Sequence, residues 1–165
     1  MTDERQAEKG TYVEKGKPFT RDMNYISTRI TRDAADGYPV EPGRYRLIAS
    51  RACPWANRAM IVRRLLGLED VISLGIAGPT HDKNSWTFDL DPNGKDPVLG
   101  IERLQEAYFA RIPDYPRGIT VPALVDTHDG KVVTNHFDFI TRDFAHEWSE
   151  FHRAGAPNLW PEEHR

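Results

Sequence analysis

One cysteine is present in 165 residues, Cys53, in the run Ser50-Arg51-Ala52-Cys53-Pro54-Trp55-Ala56. An apolar stretch, Tyr45-Arg46-Leu47-Ile48-Ala49, ends just before it, and a proline follows it directly. Proline suits the first position of a helix, where its missing N–H forfeits no hydrogen bond and its fixed φ is already helical. Cys53 therefore falls at or near the N-cap of a predicted helix, with backbone donors and the positive end of the helix dipole directed at its sulfur. A thiol so placed is biased towards thiolate, the nucleophilic form. The residue three beyond is Ala56, so no resolving cysteine is present and any disulfide must be made with another molecule. A lone cysteine is often just a small buried hydrophobe. Such a residue has no need of a helix N-terminus, so the strand–Cys–Pro–helix setting favours a reactive thiol.

The elements that would position this sulfur follow from periodicity and punctuation. Residues 45–50 read as a strand and 54–67 as a helix, with Ala59, Val62 and Leu66 beside Ile61, Leu65 and Leu68 as its buried stripe. Asn57, Arg63 and Arg64 fall on the opposite, solvated side, and Arg58, one turn from Cys53, is placed to support a thiolate. Residues 71–77 form a second strand, which makes a β-α-β unit. A long turn-rich excursion from Gly78 to Gly100 carries Trp86 and Phe88. Ile101, Leu104, Ala107 and Tyr108 mark a second helix that ends before Pro113. Residues 119–125 and 131–134 are two strands joined through His128-Asp129-Gly130 as a hairpin. A last helix follows, with Asn135 as N-cap, Asp138 three residues on, and Phe137, Ile140, Phe144, Trp148 and Phe151 as its apolar positions. Residues 1–42, broken by Gly10, Gly16, Pro18, Gly37, Pro39 and Pro42, read as an irregular arm that Phe19, Tyr25, Ile26 and Ile30 could anchor. Residues 43–152 are the folded unit, and 153–165 read as a linker.

That order of elements resembles a thioredoxin-like domain, an α/β fold with a mixed four-stranded sheet and flanking helices. Pro122 cannot donate to a strand ladder. It either starts an edge strand or, as the fold resemblance implies, is the cis-proline beside the active thiol.

Bulk properties narrow the function. A net charge of −3 gives no case for nucleic acid or an anionic membrane as partner. No apolar run approaches the roughly 18 to 20 residues that cross a bilayer. The six histidines do not pair with a second cysteine at metal-binding spacing, so no metal is expected. The charged N-terminus lacks the apolar core of a secretory signal, and with a single cysteine this points to a reducing, cytoplasmic setting.

Several separated motifs then agree in order: Arg44-Tyr45-Arg46-Leu47, Ala52-Cys53-Pro54-Trp55-Ala56-Asn57-Arg58, Gly67-Leu68-Glu69-Asp70-Val71-Ile72-Ser73, Ser85-Trp86-Thr87-Phe88 and Thr120-Val121-Pro122-Ala123-Leu124-Val125-Asp126. Over roughly residues 40–165 they resemble the glutathionyl-hydroquinone reductases, the Xi class of glutathione S-transferases. The resemblance implies a thioredoxin-like domain leading into an all-helical domain, with Asn158-Leu159-Trp160-Pro161 resembling the connection and the helical domain absent from this sequence. It implies a possible homodimer, no bound cofactor, and glutathione or another low-molecular-weight thiol as cosubstrate. The implied reaction is thiol-dependent reduction of a quinone-type conjugate through a mixed disulfide on the cysteine. Trp86 matches a tryptophan lying over the thiol site, and Val121 a residue whose backbone pairs with the cysteinyl part of glutathione.

One departure stands out. The family's Glu-Ser pair, which holds the γ-glutamyl amine and carboxylate, is matched here by His136-Phe137. A phenyl ring binds no carboxylate, and histidine offers no anion to an ammonium. Asp138 and the helix N-terminus remain as possible ionic contacts. The candidate site is thus Cys53 as nucleophile, with Pro54, Trp55, Trp86, Val121, Pro122, His136 and Asp138 binding the thiol substrate. The expected function is a thiol-dependent oxidoreductase or transferase. The alternative is a non-catalytic thiol-binding or interaction module.

Overall fold

The computed structural model describes residues 25–79, 81–82 and 84–164, so the Phe19 anchor lies outside the described residues. Strand β1 (Tyr45–Ala49) is buried at every position. It runs parallel to β2 (Ile72–Ile76) and antiparallel to β5 (Ala123–Asp126), which pairs antiparallel with β6 (Val132–Thr134). The mixed sheet has the order β2-β1-β5-β6, and β3 (His81–Asp82) with β4 (Ser85–Trp86) makes a separate small hairpin in the long excursion. The helices are α1 (Pro54–Leu66), α2 (Gln105–Arg111) and α3 (Phe137–His146). This is the thioredoxin-like fold expected from the order of elements.

Burial on both faces explains why β1 is apolar at every position but Arg46. Tyr45 and Leu47 join Leu124 and Val133 under Ala59, Leu66, Ile140, Phe144 and Trp148, the face that α1 and α3 cover. Ile48 joins Val125 and Val132 on the other face, against Phe88, Leu104, Ala107 and Tyr108. A strand covered on both faces has no side left for polar residues.

Arg46 is the exception, and the fold is built around it. Its side chain is 7% exposed and its guanidinium donates to Asp96 Oδ2 from Nε at 3.0 Å and Nη2 at 2.8 Å, while Asp96 is fully buried. Asp96 Oδ1 accepts the Val98 and Leu99 N–H groups at 3.0 and 2.8 Å. Gly75 makes the room: a Cβ there would lie 2.6 Å from Asp96 Oδ2 and 2.7 Å from Ile48 Cδ1. The pair pins the excursion to the sheet. Its later part is then tied to the stretch entering α2, with Leu104 N–H donating to Trp86 O and Phe88 N–H to Glu102 O.

Several local expectations are corrected. On α1 the buried residues are Ala56, Ala59, Arg63 and Leu66, whereas Ile61 and Leu65 are 54% and 39% exposed. Arg63, expected in solvent, donates from Nε to Ile72 O at 2.6 Å and from Nη2 to Glu69 O at 3.1 Å. Its aliphatic stem packs inward while its head serves carbonyls at the start of β2. Asn135 is not the cap of α3. Its Oδ1 accepts the Ile26 N–H at 2.7 Å and its Nδ2 donates to Thr120 Oγ1 at 2.8 Å, which fastens the arm to the segment before β5. The cap is His136, whose Nδ1 accepts the Phe139 N–H at 3.4 Å. The helix stops at His146, and Trp148 and Phe151 lie in and beside a following 3-10 turn. Phe137 is only half-buried, on the rim rather than in the core stripe. The strand expected at 119–125 begins only after Pro122. Within the arm, Ile26 and Ile30 are buried as anchors, and Arg29 forms an ion pair with the buried Asp143.

Removing one partner of a buried ion pair strands the other charge, at a cost of about 3–5 kcal/mol. Asp96→Ala should therefore lower the urea-unfolding free energy by about 3 kcal/mol or more, and the double change Arg46→Met with Asp96→Leu should lose clearly less. His136 supplies a second test. Burial, the largest influence, holds its pKa below the usual 6.5, with Arg142 and Arg29 acting in the same direction and Asp138 opposing. The folded value lies below the unfolded one, so the stabilisation is complete above about pH 6.5 and fades as the pH falls further. Against His136→Asn, which keeps a capping side chain that does not titrate, the wild-type urea midpoint should drop as the pH falls below about 6.5.

Candidate active site

Cys53 sits where β1 hands over to α1. Its backbone is extended (φ −101°, ψ 115°), its C=O accepts the Asn57 N–H at 2.9 Å, and its own N–H donates to Ser50 O at 3.1 Å. Cys53 is thus the N-cap by position, with Pro54 first in the helix, and its thiol makes no side-chain cap to α1. The sulfur is half-buried and unbridged, and its S–H donates to Val121 O at 3.5 Å. An N-cap leaves the first-turn N–H groups directed outward, an arrangement that favours an anion at the helix end.

Val121 and Pro122 are buried, and the peptide between them is cis. The structure therefore sets the sulfur against the Val121 carbonyl, with Pro122 next in the chain. Their placement relies on a chain of bonds that sequence reasoning missed. Tyr108 OH donates to Thr120 O at 2.8 Å, and Thr120 Oγ1 accepts from Asn135. The segment before Val121 is thereby held between α2 and the entry to α3. On the other side, Ser50 Oγ donates to Gly78 O at 3.0 Å and accepts the Ala52 N–H at 3.4 Å, and Gly78 N–H donates to Thr87 O. Ser50 thus ties the cysteine turn to the strand that carries Trp86. The only sequence signal for it was a small hydroxyl residue closing an apolar strand.

Trp86 is half-buried and packs on the same core as Cys53. The remaining candidates gather on the rim between α1 and α3. The Trp55 and Phe137 rings lie 4.3 Å apart between centroids, and Tyr25, at the edge of the arm, meets Phe137 edge-on at 5.6 Å and His136 at 5.3 Å. The His136 ring stacks on Phe139 at 3.9 Å. Arg58, expected to support the thiolate, is instead engaged across the helices. It donates to Phe137 O at 3.3 Å, lies 4.9 Å over the Phe137 ring and approaches Asp138 at 3.6 Å. Asp138 also pairs with Arg142 at 3.5 Å. Phe137 had been marked only as an apolar helix position and as the replacement for the family's serine, and Tyr25 only as an anchor of the arm; neither was named as a site residue.

Residues 52–142 match the model of the glutathione S-transferase N-terminal domain. The glutathionyl-hydroquinone reductase YqjG of Escherichia coli is 36% identical over 137 residues, which cover 78% of this chain and 42% of that protein. A solved glutathione transferase from Gordonia bronchialis is 71% identical, with a TM-score of 0.84 over 85% of this chain and 44% of that one. The Xi glutathione S-transferase of Phanerochaete chrysosporium is 33% identical, with a TM-score of 0.79 over 88% and 50%. The chain spans less than half the length of the curated relatives it matches. The sequence motifs, the cysteine at the head of α1, the adjoining cis-proline and these likenesses agree: the chain belongs to the glutathione S-transferase family and carries the thioredoxin-like N-terminal domain of its Xi-class, glutathionyl-hydroquinone reductase branch.

Proposed function

We propose that the protein is a thiol-dependent reductase of the glutathionyl-hydroquinone reductase kind, with Cys53 as its nucleophile. The observation that carries this reading is the Cys53 sulfur at the N-terminus of α1, 3.5 Å from Val121 O and beside Pro122. In the first step the Cys53 thiolate attacks the sulfur of a thioether that joins a low-molecular-weight thiol to a hydroquinone ring. An S–S bond forms and the C–S bond breaks. The electron pair of that bond passes to the ring carbon, which takes up a proton and leaves as the hydroquinone. The two sulfurs are oxidised to a mixed disulfide and the ring is reduced. In the second step a further thiolate attacks the substrate-derived sulfur and releases Cys53 and a small-molecule disulfide. Exchange of this kind needs an accessible thiolate and a good leaving group.

The other site residues take supporting roles in this reading. The backbone of Val121 pairs with the cysteinyl unit of the thiol, as an extended peptide adds to an exposed edge. Pro54 keeps the head of α1 open to the sulfur, Trp86 covers the substrate, and Trp55, His136 and Asp138 face the remainder of the thiol. A reaction that consumes reduced thiol belongs in a reducing compartment, which supports the cytoplasmic assignment. A homodimer is the assembly carried over from the family.

Intact-mass measurement after incubation with a small disulfide tests the chemistry. The native protein should gain one adduct, located on Cys53, and Cys53→Ser should gain none. With a glutathionyl-hydroquinone as substrate and excess thiol, Cys53→Ser should lose about a thousandfold or more in kcat/KM, the scale on which a removed nucleophile registers. A native protein that stays unmodified, or a serine variant of undiminished rate, would overturn the assignment.

A further inference from the structure

The rim beside Cys53 is aromatic where a charged substrate end would need ions. Trp55, two residues past Cys53, meets Phe137 at 4.3 Å, and Tyr25 closes against Phe137 from the arm at 5.6 Å. The acidic residue in the first turn of α3 is Asp138, and it is already shared between Arg58 and Arg142 at 3.6 and 3.5 Å. His136 is engaged as the helix cap, its Nδ1 on the Phe139 N–H, and burial holds it towards its neutral form. An ammonium group arriving here would compete with two arginines for one carboxylate. A carboxylate would face aromatic rings, with Arg58 committed to Phe137 O and Asp138, Arg142 to Asp138 and Arg29 to Asp143. Desolvating either ion without a partner is costly, whereas an uncharged group loses little and gains ring contact.

We infer that the Tyr25–Phe137–Trp55 wall selects a thiol cosubstrate whose cysteinyl amine is acylated and whose far end is uncharged, and that it discriminates against zwitterionic thiols such as glutathione. This rests on the reading of Cys53 as an exchanging thiol and adds the class of its partner. The arm acts as a specificity element through Tyr25, which reaches the wall because Ile26 is tied by its backbone to Asn135 and Thr134, at 2.7 Å each. Wall and sulfur share one frame, since Asn135 also holds Thr120, next to Val121.

The test uses two disulfides on the native protein: glutathione disulfide, and the symmetric disulfide of N-acetylcysteine methylamide. Attack by Cys53 leaves half of either reagent on the protein and releases the other half as thiol, so intact mass follows both. Rates are normalised to those of each reagent with free N-acetylcysteine. The neutral disulfide should react roughly tenfold faster, the scale on which a single apolar pocket discriminates. Phe137→Ser with His136→Glu should shrink or reverse that preference, and Tyr25→Ala, which leaves α3 untouched, should weaken it. Iodoacetamide, a small neutral reagent, should alkylate Cys53 at similar rates in all three proteins. Equal rates in the native protein, faster reaction with glutathione disulfide, or a preference that survives in both variants overturns this inference alone. If neither disulfide modifies Cys53 while iodoacetamide does, the exchange reading falls and this inference falls with it.

Discussion

A single strand buried on both faces fixes where chemistry can occur in this domain. β1 is held by parallel pairing to β2 and antiparallel pairing to β5, and its end releases the chain into the turn that carries Cys53. The same pairing brings the segment leading into β5, and with it Val121 and Pro122, to the sulfur. Neither helix nor loop needs to be precise by itself. The sheet register supplies the precision, and a one-residue slip of β5 would turn every side chain on it to the opposite face.

Around that frame the molecule spends polar bonds on holding loops rather than on the sheet. Asp96 serves Arg46 and two loop amides at once, Ser50 joins the cysteine turn to Gly78, and Asn135 bridges the arm to Thr120. Each is a buried polar group with its partners supplied, the condition under which burial stabilises rather than costs. Two of the three, Ser50 and Asn135, hold segments that adjoin Cys53 and Val121. The thiol is therefore presented by side-chain-to-backbone ties as much as by secondary structure.

Much of this was legible in the sequence because it rests on local rules. A continuous apolar stretch and Pro54 marked the strand–Cys–helix junction, and Asp129-Gly130 marked the hairpin. Long-range partnerships were less accessible. Arg63 looked solvated because charge predicts exposure, yet the carbonyls of Ile72 and Glu69 wait for it in the folded chain. Asn135 has the chemistry of a cap and was taken for one, but Ile26, 109 residues away, claims its oxygen. Histidine caps are unusual, so His136 was read only as the replacement for a glutamate beside the thiol site. The wall of Tyr25, Phe137 and Trp55 joins three distant parts of the chain, and no window of periodicity contains them together.

The far end of α1 carries a consequence of its own. Gly67 ends the helix in a left-handed conformation (φ 75°), and a Cβ there would lie 2.6 Å from Arg153 Cβ. Arg153 donates its N–H to Leu66 O at 2.9 Å and its Nε to Leu65 O at 3.0 Å. A helix of 13 residues spans about 20 Å and transmits axial displacement with little bending. The backbone that follows α3 thus closes over one end of a straight rod whose opposite end bears the sulfur, so the trailing segment and the nucleophile are fastened to the same rigid element.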